Sequence, residues 1–115
     1  YENMISRIYK NYSSKLGFLN HNVLRDYVYK IIKEYEIQTP TLDIPVKALS
    51  GGNRQRVVLA REFSFNSNKK IILAVYPSRG LDVKATNFVR MLLCSESDKG
   101  IGILLVSDDL DEIFE

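Results

Sequence analysis
Between Asn22 and Tyr35 the apolar residues Val23, Tyr27, Val28, Ile31, Ile32 and Tyr35 recur at helical spacing, while Arg25, Asp26, Lys30, Lys33 and Glu34 take the other side. This predicts one amphipathic helix, capped by Asn20 or Asn22, whose aromatic stripe is core packing rather than a platform for stacking bases. Ahead of it, residues 1–19 are weakly patterned, with a first helical turn or two around Met4 to Tyr9. Lys15-Leu16-Gly17-Phe18-Leu19 reads as a connector with apolar anchors. Behind the helix, Pro40 and Pro45 exclude helical structure from Gln38 to Lys47 and make a stiff connector. A second helix is expected from about Asn53 to Phe63, burying Val57, Val58, Leu59 and Ala60, with a break at Asn66 to Lys69.

The pattern then changes. Ile71 to Tyr76 is an unbroken apolar run, as in a strand covered on both faces. Val83 to Cys94 reads as helix, Asp98-Lys99-Gly100 as a turn, Gly102 to Ser107 as a second buried strand, and Asp109 to Glu115 as the opening of another helix. That spacing fits a parallel β-α-β unit with a right-handed crossover. The fold class is therefore α/β, with an all-helical front and a β-α-β rear. Ligands of open α/β sheets lie beyond the carboxyl ends of the strands. Those ends carry Tyr76-Pro77-Ser78-Arg79-Gly80-Leu81-Asp82 and Ser107-Asp108-Asp109 here.

Composition narrows this only slightly. A net charge of +2 over 115 residues is too small, and too evenly mixed, to argue for a nucleic-acid surface. Cys94 stands alone, which excludes an intrachain disulfide, and is expected to face the core. No apolar run approaches the roughly 20 residues that span a bilayer, and no signal peptide is visible. Tyr1 as first residue, and Glu115 falling inside an expected helix, read as cuts in a longer chain. His21 has no second ligand at metal-binding spacing. Asp108, Asp109, Asp111 and Glu112 read as a charged helix start favoured by the dipole rather than a cation site, so no metal site is expected.

The chemistry concentrates in Leu49-Ser50-Gly51-Gly52-Asn53-Arg54-Gln55-Arg56. Ser50 can cap the following helix, and a paired-glycine turn lacks the Cβ atoms that would keep a ligand from the backbone. Free N–H groups at a helix start form a ready anion site. Ser-Gly-Gly alone would suit an ordinary capped helix; the full octet resembles the LSGGQ-type signature of ABC ATPases, in the Asn-containing form of importers of simple sugars and nucleosides. Val57-Val58-Leu59-Ala60-Arg61-Glu62 continues the signature helix as in that group. Pro77 to Val83 resembles its Pro-Thr-Arg-Gly-Leu-Asp-Val segment, Ser107 to Ile113 the segment after the switch strand, and Ile37-Gln38-Thr39-Pro40 the connector before the signature.

The resemblance implies a fragment of an ABC-type P-loop NTPase domain, with a helical subdomain plus a partial β-α-β core. Residues 1–48 would be helical subdomain and connector, 49–65 the signature and its helix, and 66–115 a partial ATP-binding core with Walker B strand, D-loop and switch strand. It implies nucleotide contacts from Ser50, Gly51, Gly52, Asn53 and Gln55, and a D-loop or interdomain role for Arg79 and Asp82. Arg54 and Arg56 would approach the nucleotide or the opposing domain, or else lie solvated.

The departures carry equal weight. No G-x-x-x-x-G-K-[ST] phosphate loop occurs. Where the family ends its strand in Asp-Glu, this chain has Val75, which cannot bind a metal, and Tyr76, whose phenol is a poor base at neutral pH. Asp108 stands where the switch histidine would. No residue here is thus expected to be catalytic, as in the degenerate second domain of tandem importer ATPases. The implied function is part of the ATPase subunit of an importer of simple sugars or nucleosides, lending its signature to a composite ATP site. The cofactor would be ATP, with Mg2+ in the full-length protein; none is expected to stay on the fragment. Partners would be the other nucleotide-binding domain, a transmembrane permease nearest residues 16–45 and, indirectly, an extracytoplasmic binding protein, on the cytoplasmic face of the membrane, with no nucleic acid. The alternatives are a soluble, non-transport ABC ATPase and a non-catalytic regulatory or interaction module. Two strands without the rest of a sheet would also leave an apolar face exposed, which favours self-association.

Overall fold
Leu24, Val28, Ile31 and Tyr35 form the buried stripe on which the first half of the chain is assembled. In the computed structural model, which describes residues 1–13, 17–64 and 69–114, the chain divides into two units, Tyr1–Ser67 and Asn68–Glu115. The first is helical: α1 (Glu2–Ile5), a 3-10 turn (Tyr9–Tyr12), α2 (His21–Glu34), a second 3-10 turn (Val46–Ala48) and α3 (Gly51–Phe63). Leu24 and Val28 are wholly buried, each contributing roughly 1.5–3 kcal/mol by leaving water. Met4, Ile5 and Ile8 close the core from the amino-terminal side, Ile37 and Leu42 from the connector, and Val57, Leu59 and Ala60 from α3.

Local chemistry sets the ends of α2. Asn20 caps its start by accepting from the Val23 N–H at 3.3 Å. The helix stops in a paired-bond cap: the Ile37 N–H reaches the Ile32 carbonyl at 2.9 Å and the Glu36 N–H reaches Lys33 at 3.2 Å. This geometry needs a left-handed residue, and Glu36 supplies it at φ 49°, where glycine is usual. The strain is offset from α3. Arg56, buried to 7% exposure, donates to the Tyr35 carbonyl at 2.9 Å and to the Glu36 carboxylate at 3.2 Å.

The second unit runs β1 (Ile71–Val75), α4 (Val83–Asp98), β2 (Gly102–Val106) and α5 (Leu110–Phe114). The strands are parallel neighbours, registered from Ile71 opposite Gly102 to Val75 opposite Val106. This is the expected β-α-β unit. Ala74, Ala85, Val89 and Leu93 are its buried apolar residues. Below them Glu96 is held by Lys69 at 2.8 Å and Lys99 at 2.6 Å. Its backbone carbonyl takes the Ile101 N–H at 3.3 Å, while the Gly100 N–H reaches Ser97 at 2.8 Å, with Gly100 left-handed at φ 81°. One residue thus ties the chain before β1 to the end of α4 and the start of β2.

Several expectations are corrected. Burial alternates along both strands, and Ile71, Leu73, Val75 and Leu104 are more than half exposed. A two-stranded sheet with α4 on one side covers one face only, so neither strand is enclosed. Cys94 is exposed rather than facing the core, because the buried stripe of α4 runs through Val89, Leu93 and Glu96. The helix also continues past Cys94 to Asp98, where Gly100 ends it. Val23 and Val58 are exposed and Leu24 takes the buried position of α2; a stripe starting one residue later fits the same spacing. Phe18, at 74% exposure, is not the buried anchor expected, while Lys15, Leu16 and positions 66–68 of the expected break lie outside the described residues.

Burial alone would raise the Glu96 carboxyl, but the hydrogen bonds and charges of Lys69 and Lys99 outweigh it and hold the carboxyl below its ordinary value. Its contribution is therefore complete above the unfolded carboxylate range and is lost as pH falls through the lowered value. Glu96→Gln should remove that acid-side dependence and lower the stability of this unit by about 3 kcal/mol at neutral pH, as when a buried pair loses one partner. Hydrogen exchange of the Ala74 and Leu105 amides across pH checks both. Self-association of the chain through the open sheet face should weaken on Leu73→Lys, measured by light scattering over a concentration series.

Candidate functional site
The octet begins where the connector ends. After the 3-10 turn at Val46–Ala48, Ser50 is extended, at φ −60° and ψ 162°, and α3 starts at the next residue. The expected turn before a helix at Asn53 is therefore corrected: Gly51 and Gly52 are themselves the first two helical residues. The cause is the cap, since Ser50 Oγ accepts from the Asn53 N–H at 3.3 Å and fixes the first turn behind it. A helix provides no internal partners for its first N–H groups, so those of Gly51 and Gly52 lie at the positive end of α3. A Cβ built on Gly51 would meet nothing within 4 Å, so the approach to its backbone is open.

Asn53 adds a direction to this site. The Gln38 N–H donates to Asn53 Oδ1 at 2.8 Å, and a backbone N–H can only donate, so the other end of the amide is the NH2 group. That NH2 donates to Ser50 Oγ at 3.1 Å. Two donors thus converge on the Ser50 oxygen. A hydroxyl has two acceptor positions and one hydrogen, so what Ser50 retains for a ligand is the hydrogen. The site offers one hydroxyl donor and the dipole-backed N–H groups of Gly51 and Gly52, a set suited to an anionic oxygen.

The remaining octet residues divide. Arg54 is exposed and Gln55 is half-buried on α3. Arg56 is neither solvated nor directed at a ligand, because Tyr35 and Glu36 engage it inside the helical unit. Sequence reading missed this pairing; the signal available was a helix ending at Glu36 without a glycine to take the left-handed position.

In the second unit, the carboxyl ends of the strands place Val75 beside Val106. Tyr76 leaves the strand at φ 48° while its N–H still reaches the Val106 carbonyl at 2.8 Å. The Arg79 guanidinium lies 5.4 Å from the centre of the Tyr76 ring, and the Arg79 N–H donates to the Tyr76 carbonyl at 3.3 Å. Asp82 caps α4 through the Ala85 N–H at 2.9 Å. Asp109 accepts from the Asp111 N–H at 3.0 Å and pairs with Arg90 at 3.6 Å, and Asp108 is exposed. Val75 is a hydrocarbon, and among the described residues no group of three or more His, Cys, Asp or Glu side chains gathers to hold a metal. Among the described residues no helix is long and apolar enough to cross a membrane.

No protein-family model matches the chain. It is 36% identical over 110 residues to the guanosine import ATP-binding protein NupO of Bacillus subtilis, covering 96% of the chain and 21% of that protein. It is 34% identical over 103 residues to the ribose import ATP-binding protein RbsA of Oceanobacillus iheyensis, covering 90% and 20%. It is 36% identical over 100 residues to the xylose import ATP-binding protein XylG of Thermoanaerobacter pseudethanolicus, covering 87% and 19%. The chain thus spans about a fifth of the length of these curated relatives and matches a C-terminal part of them. Among solved structures, the dimeric bacterial ABC transporter cassette MJ0796 superposes with a TM-score of 0.65 at 28% identity, over 84% of this chain and 41% of that one. The same cassette has also been solved in a post-hydrolysis state with ADP and Pi.

Arg56→Leu should cost the helical unit about 2 kcal/mol, because the Tyr35 carbonyl loses its buried donor and the strained Glu36 loses its counter-charge. A lowered urea midpoint for the chain would report it.

Proposed function
The chain belongs to the ABC-type ATPases, and we propose that it is the C-terminal half of a nucleotide-binding domain, the second of two in an importer subunit for nucleosides or simple sugars. The observation that carries this reading is a contrast within one chain. The donors at the start of α3 are complete, with the Ser50 hydroxyl fixed by Asn53, whereas the end of β1 has a hydrocarbon and a phenol where acid and base are needed. In this reading Ser50, Gly51 and Gly52, with Asn53 and Gln55 behind them, complete an ATP site whose remaining parts belong to the opposing domain.

The division of labour follows from the chemistry. The Ser50 hydroxyl and the N–H groups of Gly51 and Gly52 hold the terminal phosphate, and the α3 dipole favours its negative charge. They need no titration to do so and therefore act at any pH at which the fold survives. Hydrolysis takes place in the site served by the other domain's acid and base. The site served by Val75, Tyr76 and Asp108 is hydrolytically poor, and the 115-residue chain by itself hydrolyses no ATP. Asp82 and Arg79 hold the loop after β1 in shape at the face between domains. The subunit binds the cytoplasmic side of a membrane permease, with residues 16–45 nearest to it, and an extracytoplasmic binding protein delivers the substrate.

Ser50→Arg in the parent ATP-binding protein should abolish ATP turnover by filling the phosphate position, whereas Tyr76→Phe should leave it essentially unchanged. Steady-state hydrolysis by the purified complex measures both. Equal tolerance of the two changes would sink the proposal.

A further inference from the structure
The hydrogen bonds around Ser50 form a chain with a beginning and an end. The Gln38 backbone fixes which way the Asn53 amide faces, and that amide, together with the Asn53 N–H, supplies both donors that reach Ser50 Oγ. We propose that Asn53 is a positioning residue that acts through Ser50: it fills the acceptor positions of the hydroxyl, forces its hydrogen away from α3 toward the terminal phosphate of ATP, and ties that orientation to the connector at Gln38. The proposal rests on the assignment of Ser50 to phosphate binding. On this reading Asn53 acts through Ser50 rather than on the nucleotide, with its carbonyl oxygen accepting from Gln38 and one hydrogen of its NH2 group going to Ser50.

The role needs an amide. An aspartate at position 53 would still accept from the Gln38 N–H, and would suit the helix start, where the dipole favours an anion. It has no hydrogen to give to Ser50, however, and its second oxygen would draw the Ser50 hydrogen inward. Fold and function therefore separate in Asn53→Asp: the connector contact survives and the outward donor is lost. A purely structural Asn53 would show no such separation.

The test is a double-mutant cycle in the parent ATP-binding protein, with ATP turnover and thermal midpoint read for each variant. Asn53→Asp is expected to lower kcat about tenfold or more, the scale of one hydrogen bond to a charged group, without lowering the midpoint. Combined with Ser50→Ala it is expected to add nothing to the loss of Ser50→Ala alone, because both remove the same donor. Losses that multiply would mean that the new carboxylate simply repels phosphate, and would overturn the proposal. Asn53→Ala, which removes one of the two donors to Oγ and introduces no charge, is expected to give a smaller loss that also vanishes in the Ser50→Ala background. Harm from Ser50→Ala with both Asn53 variants neutral would overturn the relay and leave the phosphate assignment standing. A harmless Ser50→Ala would overturn both.

Discussion
The left-handed turn at Glu36 is the constraint on which the helical unit depends. A helix that ends without glycine must place a side chain where its Cβ crowds the backbone, at a cost of about 1–2 kcal/mol. Arg56 offsets that cost by giving one hydrogen bond to the carbonyl before the turn and another to the strained residue's carboxylate. Because Arg56 lies on α3, the turn that ends α2 has these two partners only when α3 is in place. The connector that leaves the turn is then fixed at its first residues, with Ile37 buried and the Gln38 N–H on Asn53. The octet is thus held from both sides: by the helix it starts and by the connector that precedes it.

The second unit solves a similar problem with the opposite residue. Gly100 takes its left-handed position without crowding, and the charge is concentrated on Glu96, one turn earlier. A carboxylate buried to 5% exposure would be costly without partners, and two lysines supply them. The sheet end is held mainly by backbone and capping bonds: the Tyr76 N–H on Val106, the Asp82 side chain on Ala85, and Asp109 on Asp111. The acidic residues expected at these positions thus act as helix caps, as their places at helix starts require.

Most of the element order was legible in the sequence because it rests on local signals. Periodicity marked α2, apolar runs marked β1 and β2, and the prolines marked the connector. The errors share one cause. Choosing Val23 over Leu24, counting Val58 as buried and placing Cys94 inward are all errors of helical phase, and phase is set by what packs against a helix rather than by its own residues. Reading the strands as covered on both faces likewise assumed a layer from the apolar character of the run. In the candidate site, the octet and the Val75-Tyr76 strand end were visible as residue types, but the Asn53 side-chain donor that reaches Ser50 Oγ was not.

By itself the sequence determined the α/β class, the parallel pairing of its strands, the Ser50 cap and the hydrocarbon and phenol at the end of β1. Apart from the strand pairing, which follows from the single crossover helix between the strands, these depend on neighbours in the chain, whose spacing is fixed by covalent geometry. Only the tertiary structure decided that Arg56 serves the Glu36 turn rather than a ligand, that Glu96 sits between Lys69 and Lys99, and that Asn53 links Gln38 to Ser50. Each of these pairs a donor and an acceptor brought together by folding. A hydrogen bond has a direction that residue types do not specify until the backbone has placed both ends.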